Sequence, residues 1–305
     1  MSHGHGNEGA VKAILYAFLA NLGIALSKLA AALYTGSGSM LAESIHSAAD
    51  CANQVLLYMG MKRSQRPPDD RHPLGYGKAV YFWSFMVAIL LFSMGGMFSI
   101  YEGVHKLYEP EPLKDIHIAL GVIGLSILLE LGSLFGAMRE IKKIRGETPL
   151  LKWLLHSRKA ELIVVFGEDV AALAGLVFAG FFLSLAAITG NPVYDALGSA
   201  SIGVLLVVIS IALSVRIKSM LVGESADPEI EHTIHKQIEA NASIEKVLRI
   251  ITAQLGPDIM LACKVKMKPG LALHDAVVAV NDLEKSIKTA LPDVRWSFVE
   301  IDTMD

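Results

Sequence analysis

The chain has 305 residues, 53% of them hydrophobic and 19% charged, with a formal net charge of −3 and a mean hydropathy of +0.47. Soluble globular domains carry about 25% charge and about 45–50% apolar residues, so the balance points to a membrane protein, and the small negative charge gives nucleic acid no electrostatic footing. The two cysteines, Cys51 and Cys263, and the absence of any CxxC exclude a disulfide framework and a cysteine-built zinc site.

In chain order, a short His/Gly-rich start (SHGHG) holds His3 and His5, which could chelate a metal loosely from a flexible tail. Six apolar stretches follow, roughly 10–34, 39–62, 79–105, 115–138, 160–188 and 192–221, each near the 20 or so residues that span a bilayer. The first contains Asn21 and Lys28 and runs into TGSGS, so it reads as a retained span rather than a cleaved signal. The loop after the second span holds Lys62, Arg63, Arg66, Arg71 and Lys78. That after the fourth holds Arg139, Lys142, Lys143, Arg145, Lys152, Arg158 and Lys159, whereas the opposite-side loops hold only Lys106 and Lys114. This asymmetry places the basic loops, both termini and the tail in the cytoplasm. The length and the lack of a transit peptide favour a bacterial inner membrane.

Residues 1–223 are therefore predicted to form an all-α, six-helix transmembrane transport domain, and 224–305 a cytoplasmic α+β domain. The tail opens with a helix over DPEIEHTIHKQIEA, with Pro228 in its first turn. VLRIITAQ and IMLACKVKM read as strands around the turn LGPD, a helix of about 18 residues starts at Leu273, and RWSFVEID forms a last strand. The order αββαβ, ferredoxin-like, suits a small open sheet with helices on one face.

Ionisable residues inside spans are costly and mark ion or substrate paths. Span two carries Glu43, His46 and Asp50, span four Glu130, and span five Glu168 and Asp169. His46 and Asp50 are four apart, hence on one helix face. An imidazole and carboxylates converging from two helices suit a divalent metal, and a polar clamp of His46 on Asp169 is the metal-free alternative. Lys28 is expected to snorkel or to pair with a carboxylate, and Asn21 and Asn53 to bond between helices.

TGSGSMLAESIHSAAD, DDRHPLGYGKA and NPVYDALGSASIGVLL resemble the cation diffusion facilitator family over nearly the whole chain, nearest its ninth-type zinc transporter branch. The resemblance implies export of divalent cations, typically zinc, from the cytoplasm in exchange for protons, by a homodimer. It implies a transport site built from His46, Asp50 and Asp169. The fourth ligand position of the family reads Val165 here, leaving Glu168 as the favoured replacement, Glu130 as the next and water as the default. Glu168 is set about 100° from Asp169 on a regular helix, so its use is expected to need a helix irregularity, which Gly167 would ease. The loop site of the family is matched by Asp69 and His72 but has Tyr76 at its third position, and ordinary turn chemistry is the alternative. The tail site falls on Leu248, Lys264, Glu300 and Asp302, so a dimerising tail without a binuclear cluster is expected, with His232 and His235 on a solvated helix face.

The expected activity is proton-coupled efflux of a divalent cation, zinc first, with manganese, iron(II), cobalt or cadmium as other substrates. A non-transporting scaffold or metal-sensing protein is the alternative. An enzyme is not expected, since no HExxH-type motif is present. Membrane lipid and a second copy of the chain are the expected partners.

Overall fold

The computed structural model describes residues 21–110 and 112–304. His3, His5 and the opening of the first predicted span lie outside the described residues. The helical part runs α1 (21–35), α2 (Gly38–Ser64), α3 (Ala79–Tyr108), α4 (Ile116–Arg145), α5 (Leu150–His156), α6 (Ala160–Thr189) and α7 (Val193–Val222). Among the described residues α3, α4, α6 and α7, each of 30 residues, are long and apolar enough to cross a membrane. At about 1.5 Å per residue each reaches roughly 45 Å, the full bilayer with its headgroups. At 27 residues α2 has the length for a span, but Glu43, His46, Asp50 and Asn53 keep it more polar than those four. The short α5, absent from the sequence expectation, buries Trp153 and exposes Leu151 and Leu155.

The chain forms two compact units. One comprises residues up to Met59, Trp83–Pro149 and Glu161–Val215; the other comprises Gly60–Phe82, Leu150–Ala160 and Arg216–Asp305.

In the first unit, the N-terminus of α2 is built by residues far apart in sequence. Ser37 Oγ accepts from the Met40 amide (3.2 Å) and donates to Asp195 Oδ1 (2.7 Å). Asp195, in the first turn of α7, also accepts from the Gly38 amide (2.6 Å) and the Ser39 amide (3.3 Å). The amides left bare at a helix start are thereby satisfied, and a buried carboxylate faces the positive end of the helix dipole. This is what the TGSGS and NPVYD segments do for each other. The helix α3 passes through a π-helical stretch at Leu91–Met97 (LFSMGGM), and its two glycines lie along the crossing with α7. A Cβ at Gly203 would fall 2.6 Å from Ile100 N and 2.7 Å from Gly96 O, so the two backbones touch without side chains between them.

In the second unit, α8 (Pro228–Glu239), β1 (Ile244–Leu255), β2 (Asp258–Met267), α9 (Leu273–Ala290) and β3 (Val294–Ile301) follow the predicted αββαβ order. Asp227 caps α8, its side chain accepting from the Glu229 amide, with Pro228 in the first turn. The sheet order is β1-β2-β3, with β1 antiparallel and β3 parallel to β2. Alternate β2 residues Ile259, Leu261, Cys263 and Val265 pack under Ile234 and Ile238 of α8 and Leu283 and Ile287 of α9. The period of two in the strand and of four in each helix puts both helices on the same face. The other face stays bare, with Ile251 and Phe298 exposed. Burial pushes the Cys263 thiol up to about 11, so it behaves as a small core residue.

Candidate cation site

Inside the helical unit, a cavity of about 80 Å³ lies among α1, α2, α4 and α6, and its lining includes Asp50, Glu130, Glu168 and Asp169 with Ser47, Gln54 and Ser133. Such a volume holds several water molecules, since one needs about 10–15 Å³. Four carboxylates facing one buried space repel one another unless protons or cations compensate them.

The two carboxylates of α6 are each positioned by a neighbour on another helix. Glu168 accepts from Asn53 Nδ2 of α2 (2.5 Å), and Asp169 Oδ1 accepts from Ser133 Oγ of α4 (3.0 Å). Helix α6 is regular through this region, so the irregularity expected at Gly167 is not there; Gly167 instead packs against Leu213 of α7. The step of about 100° between adjacent helix positions is what sends Glu168 toward α2 and Asp169 toward α4, on two sides of one cavity. Both residues considered for the missing position, Glu168 and Glu130, line it together with Val165. Ser133 was overlooked in the sequence, although it stands three residues after Glu130 on the same helix face.

His46 is fully buried with neither ring nitrogen partnered, its Nε2 standing 3.7 Å from Asp50 Oδ2. It does not line the cavity, and the clamp onto Asp169 does not form. The free oxygen atoms Asp50 Oδ1 and Asp169 Oδ2 are buried with no hydrogen-bond donor, the condition of acceptors suited to a cation. Among the described residues no three His, Cys, Asp or Glu side chains stand close enough to hold a metal ion together.

The other expected positions differ. In the loop, Asp69 accepts from the Tyr76 hydroxyl (2.6 Å) and from the Arg71 and His72 amides, and His72 Nδ1 lies 3.4 Å from Asp69 Oδ1. The Tyr76 hydroxyl and the His72 amide hold the Asp69 carboxyl below the usual carboxylate range. These are turn contacts of the ordinary kind, with Asp69 fully engaged. In the tail, Lys264 Nζ occupies the would-be metal carboxylates, 3.1 Å from Asp302 and 3.6 Å from Glu300. The Thr303 amide and Lys264 keep the Asp302 carboxyl below its ordinary range. His235 pairs with Glu239 at 3.3 Å.

Residues 14–222 match the family model of the cation efflux transmembrane domain. The chain is 32% identical over 291 residues to the proton-coupled zinc antiporter SLC30A9, mitochondrial, of Xenopus laevis, across 94% of this chain and 51% of that one. It is 24% identical over 288 residues to the magnetosome protein MamB of Paramagnetospirillum magneticum, across 92% of this chain and 90% of that one. Among solved structures, a copper form of the MamM CTD aligns with 26% of this chain and 76% of its own, at 12% identity and a TM-score of 0.24. The chain spans about half the length of the zinc antiporter it matches.

Proposed function

Because the chain belongs to the cation efflux family, an integral membrane transporter family and not one of enzymes, we propose that it moves a divalent cation out of the cytoplasm in exchange for protons. The observation that carries this reading is that Asp50, Glu130, Glu168 and Asp169 all line one cavity among the helices. Carboxylates take up a metal in their deprotonated form, so metal entry releases protons and protons from the far side displace the metal. The ligand set inferred here is Asp50, Asp169 and Glu168, with Glu130 as a fourth carboxylate. His46 stands beside Asp50 and joins the set by turning toward it. Water on the ion's open positions completes its coordination and favours release. Alternating access then takes the form of helices rocking around this cavity.

Zinc is the first substrate in this reading, in keeping with relatives named as zinc antiporters. One observation favours a wider range: the ionisable lining is carboxylate oxygen, with His46 outside it, and such sites also accept manganese and other harder ions. The carboxylate-lined cavity supports transport over a scaffold role, which has no need of one. Asp69 and His72 are left out of the site, since both Asp69 oxygens are engaged in the loop. The asymmetry of basic residues supports a cytoplasmic tail. Relatives named for mitochondria and for magnetosomes give the bacterial inner membrane no preference. The bare sheet face around Ile251 and Phe298 supports pairing of two copies through the tail. The test is uptake of Zn²⁺ and Mn²⁺ by proteoliposomes with and without an imposed pH gradient. Gradient-dependent uptake that disappears in Asp50→Asn is expected, and uptake indifferent to the gradient refutes proton exchange.

A further inference from the structure

Lys28 has no part in the site described above, yet it is fully buried within the helical unit. Its ammonium donates to Glu43 Oε2 (3.2 Å) and to Ser47 Oγ (2.8 Å), joining α1 to α2. Glu43 is also fully buried, and its Oε1 has no hydrogen-bond donor. That oxygen points into a notch in α6 where Gly175 stands, and a Cβ there would collide with it. A structural explanation accounts poorly for this arrangement. A buried ion pair adds little net stability, because desolvation offsets the attraction, and a pair meant only for adhesion has no use for an unpartnered carboxylate oxygen.

The position of the pair is informative. Glu43 precedes Asp50 by seven residues, two turns or about 10 Å along α2. Ser47, the second acceptor of Lys28, itself lines the carboxylate cavity. A fixed cation therefore sits at the end of the cavity that faces the start of α2, the non-cytoplasmic end by the distribution of basic residues. We propose that Lys28 is a tethered counter-cation of the transport path, resting on Glu43 one station outward of the cavity and weakening the cavity's hold on the divalent ion. In the exit direction the ion meets a carboxylate already occupied by an ammonium. Its like charge limits how tightly the cavity binds, so the ion is not trapped.

This inference rests on the transport reading. Its test is calorimetric titration of the full chain in detergent with Zn²⁺ at fixed pH. Charges acting through a low-dielectric interior shift divalent affinity steeply, so Lys28→Met is expected to bind at least about tenfold tighter and Glu43→Gln at least about tenfold weaker. Combining the two restores the net charge and brings the affinity back to within about threefold of the unaltered protein, and Lys28→Arg stays in the same range. A purely structural pair would move both single variants in the same direction, and that result, or two unchanged affinities, overturns the proposal. If one single variant is recovered unfolded, the other and the combined variant decide by the same criterion. An unaltered protein that binds no Zn²⁺ at all refutes the transport reading instead.

Discussion

Removing the Asp195 carboxylate tests whether the start of α2 is held from across the bundle. In Asp195→Ala the buried Gly38 amide, 2.6 Å from Oδ2, and the Ser39 amide, 3.3 Å from Oδ1, lose their acceptor, and the Ser37 hydroxyl loses its own. An orphaned buried amide costs about 1–3 kcal/mol, and a lost helix cap typically about 1 kcal/mol. Because Ser37 Oγ still serves the Met40 amide, the total is about 3 kcal/mol rather than a full sum over every bond. At about 2–4 °C per kcal/mol for a domain of this size, the midpoint falls by about 6–12 °C. Asp195→Asn keeps a carbonyl acceptor and loses the charge, so it should cost about 1 kcal/mol, the weight of one neutral hydrogen bond against a charged one. The assay is thermal unfolding in detergent at pH 7, followed by tryptophan fluorescence. An alanine variant within 2 °C (about the assay's resolution) of the unaltered protein refutes the capping argument. An asparagine variant as damaged as alanine shows that charge, not acceptor geometry, is what matters.

Asp50→Ala should abolish proton-driven uptake while the protein still inserts into the membrane, and normal uptake removes Asp50 from the site. Glu168→Gln is expected to weaken Zn²⁺ binding and shift its pH dependence more than Glu130→Gln, in titrations across pH; the opposite order reassigns the fourth ligand. Tyr76→Phe should let the Asp69 carboxyl return toward the ordinary range, as followed by NMR titration. Since Asp69 is held low in the folded chain, its contribution is present above its unfolded value of about 3.9 and is lost as pH falls through the lower folded value. The variant should therefore differ from the unaltered protein above pH 4 or so and converge with it in stronger acid, and a difference that persists there contradicts the assignment.

The sequence exposed the polar residues of the spans because they interrupt apolar runs, and Glu43, His46, Asp50, Glu130, Glu168 and Asp169 stood out for that reason alone. The tail was legible from its periods: alternation through Ile259, Leu261, Cys263 and Val265, and steps of four at Ile234 and Ile238 and at Leu283 and Ile287. Partners across the bundle were not legible. Nothing local says that Asn53 meets Glu168, 115 positions away, or that Ser37 meets Asp195, 158 positions away. The expectation that Glu168 needs a helix irregularity to reach the same space as Asp169 differs from the structure for a related reason. It assumed a single point to be reached, whereas the cavity is wide enough to accept both directions from a regular helix. The pairing of Lys28 with a carboxylate was foreseen, but its choice of Glu43 depends on how α1 lies against α2.

The glycine crossing of α3 and α7 bears on how the molecule can move at all. Where two backbones approach this closely, as at Gly96 and Gly203 and again where Gly103 faces the backbone of Ala196 and Ala200, neither helix can roll about its axis without forcing a Cβ or a peptide into its neighbour. The two helices are thereby fastened into one plank. Helix α4 is built in the opposite way: Gly121, Gly124, Gly132 and Gly136 have nothing within 4 Å of where a Cβ would sit. In the transport reading proposed above, the shear that opens and closes a path would run along α4 and the polar face of α2, the two helices that bear Ser133 and Asn53. Each such stroke would change the grip on Asp169 and Glu168 directly, with the plank as the fixed ground against which it is made.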